Sequence, residues 1–194
     1  MDKNFAKVRL SAEEMRLVRD PAWILTKNSV MGKVVAMFGE LSGGWKEPKI
    51  SKGENYKGLP WVMLDYPRVF GKEDVYAIRT FFLWGHAFSI TLHLKGIYRE
   101  KFLPAILARR AELAAAGFGM GISDDEWAHE HTEETYGPLR AGEMGARIEM
   151  AGDRPWLKLS ARVGLEHWDE APEKLLALHQ LLMDVSYPGG EKDP

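Results

Sequence analysis

The chain has 194 residues, and 26 Lys and Arg nearly balance 28 Asp and Glu. An apolar fraction of 45% is ordinary for a globular protein and excludes disorder over most of the chain. The absence of Cys excludes a disulfide scaffold, a cysteine nucleophile and a thiolate metal site. Because a domain takes roughly 100–200 residues, we expect a single domain over residues 1–194.

The charge balance and the N-terminal sequence limit the classes of partner. A net charge of -2 argues against a dedicated nucleic-acid-binding protein, whose affinity rests largely on a basic surface. The charged N-terminus leads into no apolar segment, and no stretch approaches the roughly 20 apolar residues of a membrane helix. We therefore expect a cytoplasmic protein with no signal peptide and no membrane partner.

Two helices are predicted at the start of the chain. Ser11 and Glu14 have the spacing of a capping box, which predicts a short helix after Ser11. Asp20 and Pro21 then suit the N-cap and the first turn of a second helix. Apolar residues at helical spacing extend this second helix over residues 21–41.

A long loop and a first strand are predicted next. Residues 43–58 are rich in Gly, Lys and Pro and show no apolar period, so we expect a loop of unusual length. Residues 59–64 form a compact apolar run that predicts a strand, and residues 65–68 close it.

A hairpin follows this strand in the prediction. Residues 88–95 alternate apolar and polar side chains, which is the pattern of a half-buried strand. Residues 75–84 are aromatic and β-branched and predict its partner, with the turn at Gly85 and His86. A helix over residues 75–82 is the alternative, because its apolar side chains would also share one stripe.

The C-terminal half alternates predicted helices with further strands. The predicted elements are a helix over 102–116, a capped helix from Ser123 to about Tyr136, strands over 146–150 and 156–163, a helix after Asp169, and a frayed tail over 187–194. The grouping of the strands predicts an α+β fold. In it, an antiparallel sheet of about five strands carries helices packed on one face.

The aromatic residues concentrate in the predicted sheet. If residues 75–84 form a strand, Phe81 and Phe82 point to opposite faces. One face is then core, and the other needs a cover, which would be a helix, a ligand or another subunit. Because Arg binds carboxylates bidentately and stacks on rings, the candidate ligand-binding residues of this block are Trp61, Tyr66, Arg68, Arg79 and His93. The structural alternative is a turn fixed by Pro67 with an Asp–Arg pair.

A second candidate site lies in the segment of residues 127–134. On a helix, His129 and Glu133 would be four residues apart on one face, and they could share a divalent ion, with His131 nearby. The segment lacks the H-E-x-x-H pattern, and no distant third ligand is evident. A solvated helix with a His–Glu pair is therefore the favoured interpretation.

Two charged tracts stand out within the balanced whole. Residues 46–72 carry an excess of Lys and Arg, and residues 123–134 hold six acids with no Lys or Arg. The two tracts could pair across the fold, or both could be solvated surface.

Three strings in the first half of the chain resemble those of a group of uncharacterised bacterial proteins. They are WILTKNSV (23–30), PKISKGENYKGLPWVMLDYPRVF (48–70) and DVYAIRTFFLWGHAFSITLHLKG (74–96). The resemblance reaches to about residue 100. Because that group has no assigned activity, the resemblance implies no catalytic residue and no cofactor.

The leading hypothesis is a non-catalytic protein that binds a small ligand or a partner through the aromatic sheet face and the 43–58 loop. We expect it to form a homodimer. The alternative is a metal-assisted hydrolase using His129, His131 and Glu133, with His93 as a further candidate ligand.

Overall fold

The strands of the chain form one antiparallel sheet in a computed structural model that describes residues 8–138, 142 and 154–186. The described strands are β1 (Lys49–Tyr56), β2 (Leu59–Phe70), β3 (Val75–Leu83), β4 (Ala87–Lys95), β5 (Gly119–Gly121), β6 (Tyr136–Pro138) and β7 (Trp156–Gly164). They lie in the order β1-β2-β3-β4-β7-β5-β6, and every neighbouring pair is antiparallel. The α+β class is confirmed, and the sheet is larger than the five strands expected.

Helices pack on one face of this sheet, which we call the first face. The described helices are α1 (Ala12–Arg19), α2 (Pro21–Leu41), α3 (Ile97–Ala108), α4 (Arg110–Ala115) and α5 (Ala171–Ser186). Phe38 of α2, Phe102 of α3 and Leu182 of α5 join one buried cluster with Ile90 and Leu159 of the sheet. Because side chains alternate along a strand, the residues between these apolar positions point to the opposite, second face.

The elements at the start of the chain and the hairpin confirm the prediction. Helices α1 and α2 have the expected bounds. The Ser11 N–H donates to the Glu14 carboxylate at 2.6 Å, and the Glu14 N–H donates to Ser11 Oγ at 3.2 Å, which completes the capping box. Strands β3 and β4 pair from Val75 to Leu83 in unbroken register, so the helical alternative over residues 75–82 is wrong.

The prediction of a loop over residues 43–58 is wrong, because Lys49–Tyr56 forms the edge strand β1. Its register runs from Lys49 opposite Asp65 to Tyr56 opposite Leu59, with an irregularity after Gly53. An edge strand that is exposed along much of its length is stabilised by ladder hydrogen bonds and needs no apolar alternation. The composition of this segment therefore gave no indication that it forms a strand.

The capped helix predicted from Ser123 to Tyr136 is also wrong. Residues 122–135, which we call the covering segment, form turns that lie against the second face. Ser123 Oγ accepts the Asp125 N–H at 3.1 Å, and the Asp125 carboxylate accepts the Trp127 N–H at 2.8 Å. Such local side-chain-to-backbone bonds compete with a helix, so the residues that suggested an N-cap instead form consecutive turns.

The remaining helices and strands match the prediction in part. The helix expected over 102–116 begins earlier and is split into α3 and α4. Strand β7 agrees with the prediction, whereas the final helix starts at Ala171 after a 3-10 turn over Leu165–Glu170. The predicted strand over 146–150 and the predicted tail over 187–194 lie outside the described residues. Among the described helices, none is both long and apolar enough to cross a membrane.

The first face should dominate the stability of the domain. Ile90 of β4 is fully buried, whereas Ile97 at the start of α3 is 60% exposed. We expect Ile90→Ala to lower the free energy of unfolding by about 2–5 kcal/mol, because it removes buried methyl groups and leaves a cavity. The matched Ile97→Ala should change it by about 0.5 kcal/mol or less. Urea unfolding measures both, and equal effects would contradict this packing.

Candidate functional site

Charged and polar side chains occupy the middle of the second face. Asp65, Arg79, Thr91 and Ser160 lie directly opposite one another across β2, β3, β4 and β7. His93 and Lys158 form the next cross-strand pair of the same parity. Apart from the half-buried Arg79, these side chains are buried. A buried row of this kind requires hydrogen-bond partners, because unpaired polar groups are costly away from water.

The covering segment supplies most of these partners. Lys158 Nζ donates to the backbone carbonyls of Glu126, at 3.1 Å, and of Ala128. The Glu126 carboxylate in turn lies 3.1 Å from His93 Nε2 and accepts a hydrogen bond from Lys95 Nζ, also at 3.1 Å. The covering segment is thus fixed to β4 and β7 by side chains of the sheet.

Arg79 links the sheet to the same segment. Its guanidinium binds the Asp65 carboxylate through two hydrogen bonds of 2.7 and 3.0 Å, the bidentate geometry that suits this pair. Arg79 Nη1 also lies 3.2 Å from the imidazole of His129 in the covering segment. The guanidinium carbon is 5.4 Å from the ring centre of Phe70, within cation–π range.

A second contact joins the covering segment to the sheet edge at Glu130. This buried carboxylate accepts hydrogen bonds from the Tyr56 hydroxyl and from Lys57 Nζ. Burial alone would raise the pKa of Glu130, but the hydrogen bonds from Lys57 and Tyr56 hold the pKa below its usual value. At this contact the basic tract pairs with the acidic tract, which is one of the two possibilities that the sequence left open.

The aromatic surplus of the second face is covered in part by the chain itself. Phe81 packs with Tyr56 at 5.5 Å and with His129 of the covering segment at 5.9 Å between ring centres. Trp127 of the same segment lies 5.3 Å from His93. The expectation of a helix, a ligand or another subunit as cover omitted this possibility, a segment of irregular turns.

Burial shifts the ionisation of the imidazoles under the covering segment. Burial lowers the pKa of His93 to about 3, and the positive charges of Lys158 and Arg79 lower it further. Burial and Arg79 likewise lower the pKa of His129 to about 3, and burial lowers that of His131 to about 4. All three imidazoles are therefore neutral at pH 7.

Lys158 is a buried amine without a carboxylate partner among the described residues. Burial lowers its pKa to about 8, and the charge of Arg79 acts in the same direction. Its hydrogen-bond acceptors are backbone carbonyl oxygens, which carry no full negative charge. Clustered groups with strongly shifted pKa values mark functional sites more often than surface ion pairs do.

A small cavity lies at the centre of these groups. It is lined by Phe70, Ala77, Arg79, Thr91, His93, His129 and Lys158. Its free volume of about 10 Å³ is near the minimum that holds one water molecule. A larger and more open groove of about 520 Å³ runs past Arg162, Glu166 and Lys174. We place the candidate site at the small cavity, because the groove is lined by no buried charged side chain.

The structure brings together two of the five predicted ligand-binding residues, Arg79 and His93. Trp61 lies on the second face but beside Phe81, 6.3 Å away between ring centres, and does not line the cavity. Tyr66 is on the first face, where it stacks on Trp45 at 4.9 Å. Arg68 is exposed at the irregular end of β2 and donates to the Glu47 carbonyl at 3.1 Å.

The three residues of the metal hypothesis lie in different environments. His129 lines the cavity, His131 Nδ1 lies 3.0 Å from Ser160 Oγ, and Glu133 is exposed. The helix that would have aligned His129 with Glu133 does not form. Within the described ranges, no three His, Cys, Asp or Glu side chains come together in a way that would hold a metal ion. The hydrolase hypothesis stays a prediction, and the described residues offer it no set of metal ligands.

Sequence reasoning missed Lys158 and Glu126. The alternation of residues 156–163 places Lys158 on the face away from the core, which was the one available signal. It does not distinguish a solvated lysine from a buried one. The distinction depends on the covering segment, whose turns were not predicted. In comparisons with family models, with characterised proteins and with solved structures, no match to this chain is found.

The buried imidazoles should make the fold sensitive to acid. Because their folded-state pKa values are lowered, the unfolded chain takes up protons first, and stability falls as pH drops below about 6.5. Between pH 7 and 5 we expect His93 and His129 each to account for a loss on the order of 1–2 kcal/mol. His93→Gln and His129→Gln should each flatten this dependence.

Urea unfolding at pH 7, 6 and 5 measures the effect, in a range where most carboxylates stay ionised. His86→Gln is the matched control, because His86 is exposed at the hairpin turn. An equal pH dependence in the parent protein and in all three variants would contradict the burial of these imidazoles.

Proposed function

We propose that the protein binds a small anion, or the anionic group of a small molecule, at the cavity lined by Arg79, His93, His129 and Lys158. The observation that carries this proposal is Lys158, a buried amine whose described neighbours include no carboxylate within ion-pairing distance. An anion in the cavity would supply the missing negative charge. The protein would act as a binding domain, which agrees with the leading hypothesis from the sequence.

The electrostatics of the cavity support an anion over a cation. Arg79 and Lys158 line the cavity, and no described carboxylate does. The charges of these two cations lower the pKa of both imidazoles that line it, while Glu130 and Asp125 act in the opposite direction on His129. Neutral His129 can accept a hydrogen bond from Arg79 at one ring nitrogen and donate one to an oxyanion from the other, whereas the N–H of neutral His93 is used by Glu126. Asp65 offsets the charge of Arg79, whose guanidinium it binds, so Lys158 is the cation of the cavity with no carboxylate contact among the described residues.

The size of the cavity limits the ligand. Room for one water molecule is too small for most metabolites, so a bound anion must displace that water or move the covering segment. The covering segment is fixed to the face by Lys158 and Glu126 and to the sheet edge by Glu130. A compact tetrahedral anion, or a carboxylate at the end of a narrow ligand, is the class that this geometry favours.

Sulfate is a suitable probe, because its charge is constant across the useful pH range. We expect sulfate to raise the melting temperature at constant ionic strength, since a ligand that binds only the folded state stabilises it. Lys158→Met should abolish the rise. Arg162→Gln is the matched control, because Arg162 lies four residues further along β7 on the same face but is exposed.

The protonation of Lys158 gives a second test of anion binding. Lys158 with a pKa of about 8 goes from mostly charged at pH 7 to mostly neutral at pH 9, so sulfate affinity should fall by about ten-fold over that range. Isothermal titration calorimetry measures the affinity. A response to sulfate that survives Lys158→Met, or no response at all in the parent protein, would contradict anion binding at this cavity.

A further inference from the structure

A helical arm at the start of the described chain contributes no buried residue to the part of the domain that the structure describes. Every residue from 8 to 26 is exposed, which takes in the whole of α1 and the first six residues of α2. We call residues 8–26 the N-terminal arm. It carries eight large apolar side chains that are each about half exposed or more, namely Val8, Leu10, Met15, Leu17, Val18, Trp23, Ile24 and Leu25.

Within the described residues, the hydrogen bonds and buried side chains that join these helices to the domain begin at Lys27. Lys27 donates to the Glu54 carboxylate of β1 at 2.6 Å, and Met31, Val34 and Phe38 of α2 are buried on the first face. Before Lys27 the helix continues without support. Among the described residues, no other segment combines two helices with so much exposed apolar surface.

Such an arm needs a cover. Isolated helices shorter than roughly 12–15 residues are marginal in water, and α1 has eight residues with none buried. Its capping box contributes about 1 kcal/mol, which does not replace packing. So many large exposed apolar side chains in one short segment indicate a candidate interaction site.

We propose that the N-terminal arm is the interface through which two copies of this chain form a dimer, with the two arms packed antiparallel about a two-fold axis. The expectation of a homodimer from the sequence named no surface, and this proposal assigns one. It is independent of the anion cavity, because α2 packs on the first face and the cavity lies on the second.

The exposed area suits a second copy. Eight such side chains, each about half exposed, present on the order of 800 Å² of surface in all, which is the area that each partner contributes to a standard interface. Because Trp23, Ile24 and Leu25 are successive residues of a helix and point to different sides, one packing face takes a part of this area. A two-fold dimer buries the same patch on both copies, so a single apolar arm is sufficient to form it.

The charges on α1 of one copy complement the charges on α1 of a second copy. Glu13 and Glu14 lie in its first turn, and Arg16 and Arg19 lie in its last turn. Antiparallel packing of two α1 helices places the acidic turn of one copy beside the basic turn of the other. An anionic membrane is the less suitable partner, because helices that bind such surfaces carry mainly Lys and Arg on their polar face.

Sedimentation velocity tests the proposal over about 1–100 µM protein. We expect a dimer for the full chain and a shift to monomer, by at least ten-fold in dissociation constant, for the triple variant Trp23→Ser, Ile24→Ser, Leu25→Ser. The matched control is the double variant Ile97→Ser, Leu176→Ser, which changes exposed apolar residues outside the arm and should leave the dimer intact. Circular dichroism checks that each variant is folded.

Cross-linking gives a second test of the dimer, and this test does not depend on a disruptive variant. Because the chain contains no Cys, Val18→Cys introduces one thiol per copy. A short bis-maleimide should join Val18→Cys into a covalent dimer, whereas Ile97→Cys should stay uncoupled. A monomeric full chain at 100 µM, a dimer that survives the triple variant, or equal coupling at both positions would overturn the proposal.

Discussion

A buried lysine determines how the second face of the sheet is closed. Lys158 points from the middle of β7 into the protein, and its ammonium group is satisfied by two carbonyl oxygens of the covering segment. Taking a charge out of water is costly, so an uncovered face would leave Lys158 solvated and the imidazoles beside it unperturbed. The covering segment, the neutral histidines and the small cavity all depend on this one arrangement.

The remaining charges of the face are organised around the same arrangement. Asp65 holds Arg79 by two hydrogen bonds, and Glu126 holds His93 and Lys95. The carboxylates in contact with the face thereby bind groups other than Lys158, while Asp125, Glu126 and Glu130 act on Lys158 only at longer range and raise its pKa. Replacing a buried charge pair by apolar residues is often neutral or stabilising, so a buried ammonium group with no carboxylate contact among the described residues suggests selection for something besides stability. This ammonium group is the physical basis of the proposed anion site.

The sequence predicted the first two helices and the central strands, because their signals are local. The capping box at Ser11, the apolar period of α2 and the alternation along β4 each belong to one element and agree with the structure. The edge strand β1 and the covering segment were missed for two other reasons. The polar residues of β1 are held by ladder bonds to β2, and the Ser123 pattern is satisfied by turns instead of a helix.

The candidate site was predictable only in part. Arg79 and His93 could be placed on one face by strand parity, and the structure brings both to the cavity. Tyr66 could not be placed correctly, since the irregular pairing near residue 66 and its stacking on Trp45 involve contacts distant in sequence. The burial of Lys158 could not be predicted without knowing which residues cover β7. That depends on the path of residues 122–135 in three dimensions.

The pKa of Lys158 tests most directly whether the covering segment closes the second face and whether an anion binds there. NMR titration of the protein with isotope-labelled lysine side chains, with Lys158→Met for assignment, measures its pKa in the folded chain. We expect one lysine to titrate at a pKa of about 8, and sulfate to raise that pKa by placing a negative charge beside the amine. A Lys158 that titrates with the exposed lysines above a pKa of 10 would contradict the covered second face and the anion site with it.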